Sequence, residues 1–393
     1  MVTNVEFLGI EPLDNLITCM NFKIDKVIYF GYQEVIDTQR SSTQMFLKKH
    51  CGVKTVEFYS VQKDNLQSTL NTMRREIQYE LSQRNQIYFD ITGGESLILV
   101  AFGMLSKEFE TPIHMFDIVA DKLIELDEKT TSGISKGVKA NKIRLTLDLL
   151  IQMHGGRINE NLRKNIKNNS DPEFLGDIES IFNIAKCNWD YWNPFSMFLR
   201  NVLIPVDATL QVRVPAAVVL SALQQSTTKL RTFRKLIDII DALACKGLLL
   251  DVVHTNGRFS FKYKNEDIKD SLWDGGSILE LHTYLNEVDH CDEIQVGLHL
   301  DWDGVIHEEP GSDVLNEIDV LSLKGNVATF ISCKSGKMDA KQALHALYEL
   351  ETVAGRFGGK YARKVLVTAK EIGEIYRERA EEMGIEVRWT NAV

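Results

Sequence analysis

Residues 86–96 read QIYFDITGGES: a β-rich apolar run, an aspartate, two glycines and then the start of a helical pattern. The glycines let backbone come close to a ligand, and the helix start offers free N–H groups to an anion. Outward from this turn, the first 130 residues alternate strand and helix signals. The runs VEFLGI, KVIYFGY, VKTVEFY, QIYFDIT, PIHMFDIV and KLIELD are separated by helical stretches, notably Asp64–Arg84 and Glu95–Phe109. Strands that are apolar almost throughout predict a parallel sheet covered on both faces, a Rossmann-like α/β layout. Such sheets bind ligands outside the strand C-termini. A tight turn with no ligand is the other reading of the same residues. Neither G-x-G-x-x-G nor G-x-x-x-x-G-K-[ST] occurs, so dinucleotide and Walker-type nucleotide binding lack a motif.

At 393 residues the chain exceeds one ordinary core, and three domains are expected: 1–142, 143–265 and 266–393. A composition of 44% hydrophobic and 25% charged residues is that of a soluble globular protein. No apolar run offers a membrane span. The start, MVTNVEFLGIEP, has no basic region followed by an apolar one, so secretion is not expected. Six cysteines without a C-x-x-C pair suit a reducing cytoplasm and argue against structural zinc. A formal charge of −10 counts against a surface coated for nucleic acid.

Helical segments and polar joints follow, INENLRKNIKNNSDPE being the clearest joint. VPAAVVLSALQQ and LRTFRKLIDIIDALACKGLLL read as consecutive helices, and LLLDVVHTNGRFSFKY as a hairpin around Asn256-Gly257. Helix, helix, hairpin is a winged-helix-like layout, used in some proteins to bind DNA and in others to connect domains.

In the last third, WDGGSILELHTYLNEV reads as a helix, and EIQVGLHLDWDG, EIDVLSLKGN and VATFISCKSG as successive strands. A helix (ALHALYELETVAGRF), a strand (KVLVTA), and a helix end with a closing strand (EEMGIEVRW) complete the pattern. Residues two apart on a strand share a face, which pairs Glu317 with Asp319 and Ser332 with Lys334. Glu280 on the preceding helix adds a carboxylate. Clustered carboxylates suit Mg²⁺ or Mn²⁺, which take oxygen ligands and keep waters. Such a metal would activate water at a phosphodiester while Lys334 orients that water or offsets developing charge. A surface ion pair between adjacent strands is the plainer reading of the same residues.

Two family resemblances bear on this choice. Glu280, N-E-I-D and S-C-K followed by a helix resemble the PD-(D/E)xK nuclease fold. That resemblance implies Asp319, Glu280 and Glu317 as metal ligands and Lys334 and Ser332 as further catalytic residues. The family's acid before x-K is replaced here by Ser332. YELETVAGRFGGKYARKVLVT resembles the segment after this site in CRISPR-associated ancillary nucleases, where a Phe-Gly-Gly step is characteristic. Asp90, Thr92, Gly93 and Gly94 resemble the D-x-T-G-G-[TS]-K signature of the CARF domain, a sensor of cyclic oligoadenylates, with Glu95 and Ser96 departing from it. Leu8 to Asn15 resemble that family's second ligand loop. Ligand contacts implied are Gly9, Ile10, Glu11, Asn15, Thr92, Gly93, Gly94, Glu95 and Ser96.

The combination implies a cytoplasmic homodimer: a metal-dependent nuclease for DNA, RNA or both in type III CRISPR antiviral defence, switched on by cyclic tetra- or hexa-adenylate. Between Thr329 and Lys370 there are eight Lys/Arg against three Asp/Glu. Lys337, Lys341, Arg356 and Lys360 are the expected contacts to backbone phosphates. The alternative is a ligand-gated winged-helix transcription regulator with an inactive nuclease-like domain. Degradation of the cyclic ligand by the sensor itself is a further expectation.

Overall fold

The computed structural model describes residues 1–126, 133–160, 171–255, 257–307 and 315–390. Asn256 of the expected hairpin turn and residues 161–170 of the polar joint lie outside them.

The N-terminal unit runs β1 (Val2–Leu8), α1 (Pro12–Asn21), β2 (Lys26–Gly31), α2 (Gln33–Phe46), β3 (Thr55–Ser60), α3 (Leu66–Ser82), β4 (Gln86–Asp90), α4 (Ser96–Phe109), β5 (Ile113–Asp117) and β6 (Lys122–Glu125). The sheet order is β3-β2-β1-β4-β5-β6, parallel except for β6. Chain order reverses between β1 and β4, so the loops after these two strands sit side by side at the switch point. Val5, Ile28, Tyr29, Phe30, Tyr88 and Phe89 are almost wholly buried, as strands covered on both faces require.

α5 (Ile134–Gly137) and α6 (Leu147–Met153) lead to β7 (Arg157–Ile158), which pairs with the edge of the C-terminal sheet. The expected boundary at 143 therefore does not separate the units. Two residues of strand are too short to carry a periodic signal, and only pairing reveals them.

The helical middle comprises α7 (Pro172–Lys186), α8 (Trp189–Asn201), β8 (Gln211–Pro215), α9 (Ala216–Gln225), α10 (Phe233–Cys245), β9 (Leu249–Val253) and β10 (Arg258–Tyr263). The expected helix–helix–hairpin order is present. β8 joins it on the far side of β10, giving the order β8-β10-β9.

α12 (Ser277–Glu287) is the expected helix, opening just after Gly275 and Gly276, and a separate short helix, α11 (Glu266–Trp273), precedes those glycines. β11 (Glu293–Asp301), β12 (Leu315–Lys324) and β13 (Val327–Lys334) form an antiparallel meander. α13 (Ala340–Gly358), β14 (Arg363–Thr368), α14 (Glu374–Glu382) and β15 (Ile385–Trp389) follow. The order β15-β14-β13-β12-β11-β7 places the end of β13, the start of β12 and the ends of β14 and β15 along one edge. Lys334 is on that edge. The opposite edge holds the turn at Gly325-Asn326 and the start of β14, and it packs against the N-terminal unit. There Asn326 donates to the Asp121 carboxylate at 2.6 Å.

α13 connects the two edges. It opens on a capping box between Asp339 and Gln342 and buries Ala343, Ala346, Leu347, Leu350, Val353, Ala354 and Phe357 on one stripe. Its 19 residues span about 28 Å. Among the described residues no helix is long and apolar enough to cross a membrane.

Candidate active site and N-terminal loops

At the Lys334 edge the sheet is irregular. Ile318 packs in the core shared with α13, while Val320 packs in the core shared with α12. Regular alternation would put both on one face. Leu298 and Val296 on the neighbouring strand split the same way. The slip falls at Gly297, whose φ is +60°, and at Asp319, which continues the register opposite it. Freed from the alternation, the Asp319 carboxylate reaches along the strand edge. Its Oδ2 accepts from the Cys333 N–H at 2.6 Å and from the Ser332 hydroxyl at 3.2 Å, and Lys334 Nζ lies 3.9 Å away.

Burial pushes the Asp319 carboxyl above its ordinary value. The Lys334 ammonium and the Cys333 N–H pull it down, and the Glu317 charge raises it again. Glu280, on the first turn of α12, is buried. It and Asp319 both act on the thiol of Cys333, which burial already drives far up. The structure thus brings Asp319, Ser332 and Lys334 together, with Glu280 on the helix facing Cys333. Glu317 is exposed on its strand two residues before Asp319, and its charge acts on the Asp319 carboxyl.

For a divalent cation the donors are of the right kind: hard oxygens, one of them on a partly buried carboxylate that a second carboxylate repels. They do not close on one point. Among the described residues, no three His, Cys, Asp or Glu side chains are arranged around a common metal position.

The phosphate contacts expected from sequence divide by edge. Lys337 and Lys341 are exposed beside Lys334, on the loop after β13 and the first turn of α13. Arg356 and Lys360 sit at the opposite end of α13 and are committed elsewhere. The Arg356 guanidinium donates to the carbonyls of His154 and Trp302 and lies 5.6 Å over the Trp302 ring. Lys360 pairs with Asp14 at 2.6 Å. Neither can serve a substrate held at Lys334.

The loops after β1 and β4 are shaped by their own polar groups. Asp90 accepts the Thr92 N–H at 2.8 Å, and the Thr92 hydroxyl accepts from the Phe116 N–H at 2.8 Å. Burial opposes ionisation of Asp90, but His114, 3.5 Å away, outweighs it and holds the carboxyl low. Gly94 has φ +136°, where a side chain would be strained, and a Cβ there would meet Leu99 at 2.8 Å. Gly94, Glu95 and Ser96 are exposed at the start of α4, and the Glu95 carboxylate accepts from the Tyr32 hydroxyl at 3.0 Å.

In the neighbouring loop Gly9 and Asn15 exchange two hydrogen bonds of 2.9 Å, and Ile10 is 78% exposed. Asn15 and Glu11 are buried, which corrects their expected roles as direct ligand contacts. Glu11 caps α1 and accepts from the Lys360 backbone N–H at 2.9 Å, with His154 Nε2 at 3.3 Å. Burial opposes its ionisation, yet the bonds from His154 and Lys360 prevail and keep the carboxyl below its usual value. Asp14, on the first turn of α1, accepts from Lys360 Nζ and from the Tyr361 hydroxyl, each at 2.6 Å. A Cβ on Gly93 would stand 3.0 Å from that of Asp14. The sequence offered no signal for this pairing of α1 with the Gly-Gly-Lys-Tyr step: the partners are some 350 residues apart.

Comparison with known proteins agrees with this anatomy. Residues 269–390 match the family model described as Card1-like, endonuclease domain. Protein VC1899 from Vibrio cholerae is similar in structure, with a TM-score of 0.67 at 16% identity, over 99% of this chain and 94% of that one. Can2 from Sulfobacillus thermosulfidooxidans, solved with cyclic tetra-adenylate, gives a TM-score of 0.63 at 16% identity, over 98% and 95%. No curated protein matches the sequence. The chain shares the overall fold of these two proteins, and its residues 269–390 are similar to the Card1-like endonuclease domain.

Proposed function

We propose that this protein is a metal-dependent endonuclease of type III CRISPR defence, gated by a cyclic oligoadenylate and working in the cytoplasm as a homodimer on DNA, RNA or both. The observation that carries the reading is the Lys334 ammonium 3.9 Å from the Asp319 carboxylate, on a sheet edge within a Card1-like endonuclease domain.

Asp319, Glu280 and Glu317 would hold Mg²⁺ or Mn²⁺, which when bound supplies an activated water and a Lewis acid for the phosphoryl group. The protein's own groups do the rest. The Ser332 hydroxyl and the Cys333 N–H fix the Asp319 carboxylate in one orientation. Lys334, about one-third exposed, reaches the solvent side of that carboxylate and offsets charge gained by the phosphoryl oxygens as the P–O bond breaks. Lys337 and Lys341 hold the nucleic-acid backbone without reading sequence.

The activator binds at the switch point, over exposed Gly94 to Ser96 and the start of α4, where helix N–H groups favour phosphate. Gly9, Ile10, Thr92 and Gly93 complete the walls. α4 also presents Val100 and Met104, 53% and 49% exposed, beside that site. An apolar face adjoining a ligand loop supports pairing of two sensor units across it. Gating then requires only that the ligand bind one arrangement of the dimer better than the other.

The test is cleavage of supercoiled plasmid and of labelled single strands with Mn²⁺, with and without cyclic tetra- or hexa-adenylate. Cleavage that survives Lys334→Ala and Asp319→Ala removes the site assignment. The regulator alternative draws little from the middle unit, since α10 carries Asp238 and Asp241 among Arg234 and Lys235. Duplex binding without product would favour it. Loss of cyclic ligand over time, with no nucleic acid present, would reveal degradation by the sensor.

A further inference from the structure

Glu11 and Lys360 were expected to touch two different ligands, and in the structure they touch each other. The joint they form has three layers. Gly93, in the loop after β4, lies directly on the Asp14 side chain: a Cβ there would be 3.0 Å from Asp14 Cβ and 3.2 Å from its Oδ2. Asp14 is 6% exposed, and both its oxygens are taken by the endonuclease domain, through Lys360 Nζ and the Tyr361 hydroxyl. Below them the chain passes Gly358 and Gly359 into the C-terminus of α13.

Those two glycines are what permits the contact. A Cβ on Gly359 would lie 2.3 Å from the Glu11 carboxylate and 2.7 Å from His154 Nε2, and one on Gly358 would lie 2.5 Å from the Phe330 ring. The Phe-Gly-Gly step is thus the place where the endonuclease domain fits under the sensor loop. The other end of α13 begins six residues after Lys334.

We propose that Asp14 is the coupling residue of the protein: it passes occupancy of the Gly93 loop to Lys360 and Tyr361, and α13 carries the displacement to the Lys334 edge. This rests on the function proposed above. An anion settling on the Gly93–Ser96 loop presses on Gly93, and no free space separates Gly93 from Asp14. A carboxylate held by two short hydrogen bonds moves with its partners. A packed helix moves as a unit rather than bending, so a shift at Gly358 reaches Asp339.

The experiment measures cyclic tetra-adenylate affinity by calorimetry and the ligand-stimulated increase in cleavage separately, for wild type, Asp14→Asn, Lys360→Met, Tyr361→Phe and the Asp14→Asn/Lys360→Met double variant. Asp14→Asn preserves shape, and Tyr361→Phe removes one hydroxyl, so both keep the fold. Affinity is expected to stay within about threefold, while stimulation falls about tenfold in Asp14→Asn, in the range of ordinary coupling factors. The double variant should be no worse than the more affected single one, as for residues in one network. Hydrogen exchange along α13 should respond to ligand in wild type and not in Asp14→Asn.

Variants stimulated like wild type overturn the proposal, and so does stimulation that falls only in step with affinity. Wild type that binds the ligand yet cuts equally with and without it overturns the functional reading instead. Wild type that responds while Asp14→Asn responds equally overturns the coupling role alone.

Discussion

At the Lys334 end of the C-terminal sheet an ammonium stands 3.9 Å from a carboxylate; at the Lys360 end another stands 2.6 Å from one. The first carboxylate reaches solvent, its lysine is not drawn in fully, and its nearest neighbours are a hydroxyl and a backbone N–H. The second is sealed in, its two oxygens matched by two donors from another domain. Similar residue types therefore serve opposite ends: an incomplete cluster can take on a metal and a substrate, whereas a complete one holds two bodies in register. Charge and residue identity alone do not distinguish them. What distinguishes them is whether donors and acceptors are already paired.

Breaking the first end should have the largest effect. Lys334→Ala and Asp319→Ala are each expected to lower Mn²⁺-dependent cleavage by about 10²–10³, measured as single-turnover rates on a labelled strand. Breaking the second should cost stability. Gly359→Ala, at φ +61° and against the Glu11 carboxylate, is expected to destabilise by about 2–3 kcal/mol in thermal or denaturant melts. Gly355→Ala, one turn earlier on α13 with nothing within 4 Å, should instead stabilise by about 0.5–1 kcal/mol. If the two alanines behaved alike, the joint would not be as tight as described.

Smaller effects sharpen the comparison. Ser332→Glu places a third oxygen donor beside Asp319 and is expected to raise Mn²⁺ affinity on the order of tenfold, by titration of the metal's effect on rate. Lys337→Ala should flatten the salt dependence of substrate binding by about 0.7–0.9 in log–log slope, while Arg356→Ala, at the other edge, leaves it unchanged. The acid limb of the pH–rate profile should lie above the ordinary aspartate value of about 3.9, because burial raises the Asp319 carboxyl and the reaction needs its ionised form. Higher Mn²⁺ moves that limb towards acid. The same raised value means that Asp319 favours the metal-free fold below the unfolded pKa and loses that contribution as pH climbs through the folded one.

Much of this anatomy was legible in the residues. Most strands of the N-terminal sheet are apolar almost throughout, and the turn at Gly93-Gly94 marks the switch point directly. Asp319 and Lys334 were legible as neighbours because their strands are joined by a two-residue turn: the register that pairs Val320 with Ile331 brings Asp319 to Ser332, and Lys334 lies two residues further along. For Glu11 and Lys360 the sequence could not show the partners they have in the fold. Each has the chemistry of a ligand contact, and only the fold supplies the internal partner that uses it up. β7 was missed because two residues of strand carry too little pattern.

α13 meets a different demand at each of its ends, and that limits how its length can vary. Adding or removing one residue between Asp339 and Gly358 would turn one end against the other by about 100° and shift it by about 1.5 Å. The Gly-Gly corner would then face away from Glu11, or the loop bearing Lys337 away from the sheet edge. Insertions should be tolerated in the polar turns around this helix and refused within it, as in a shaft keyed at both ends.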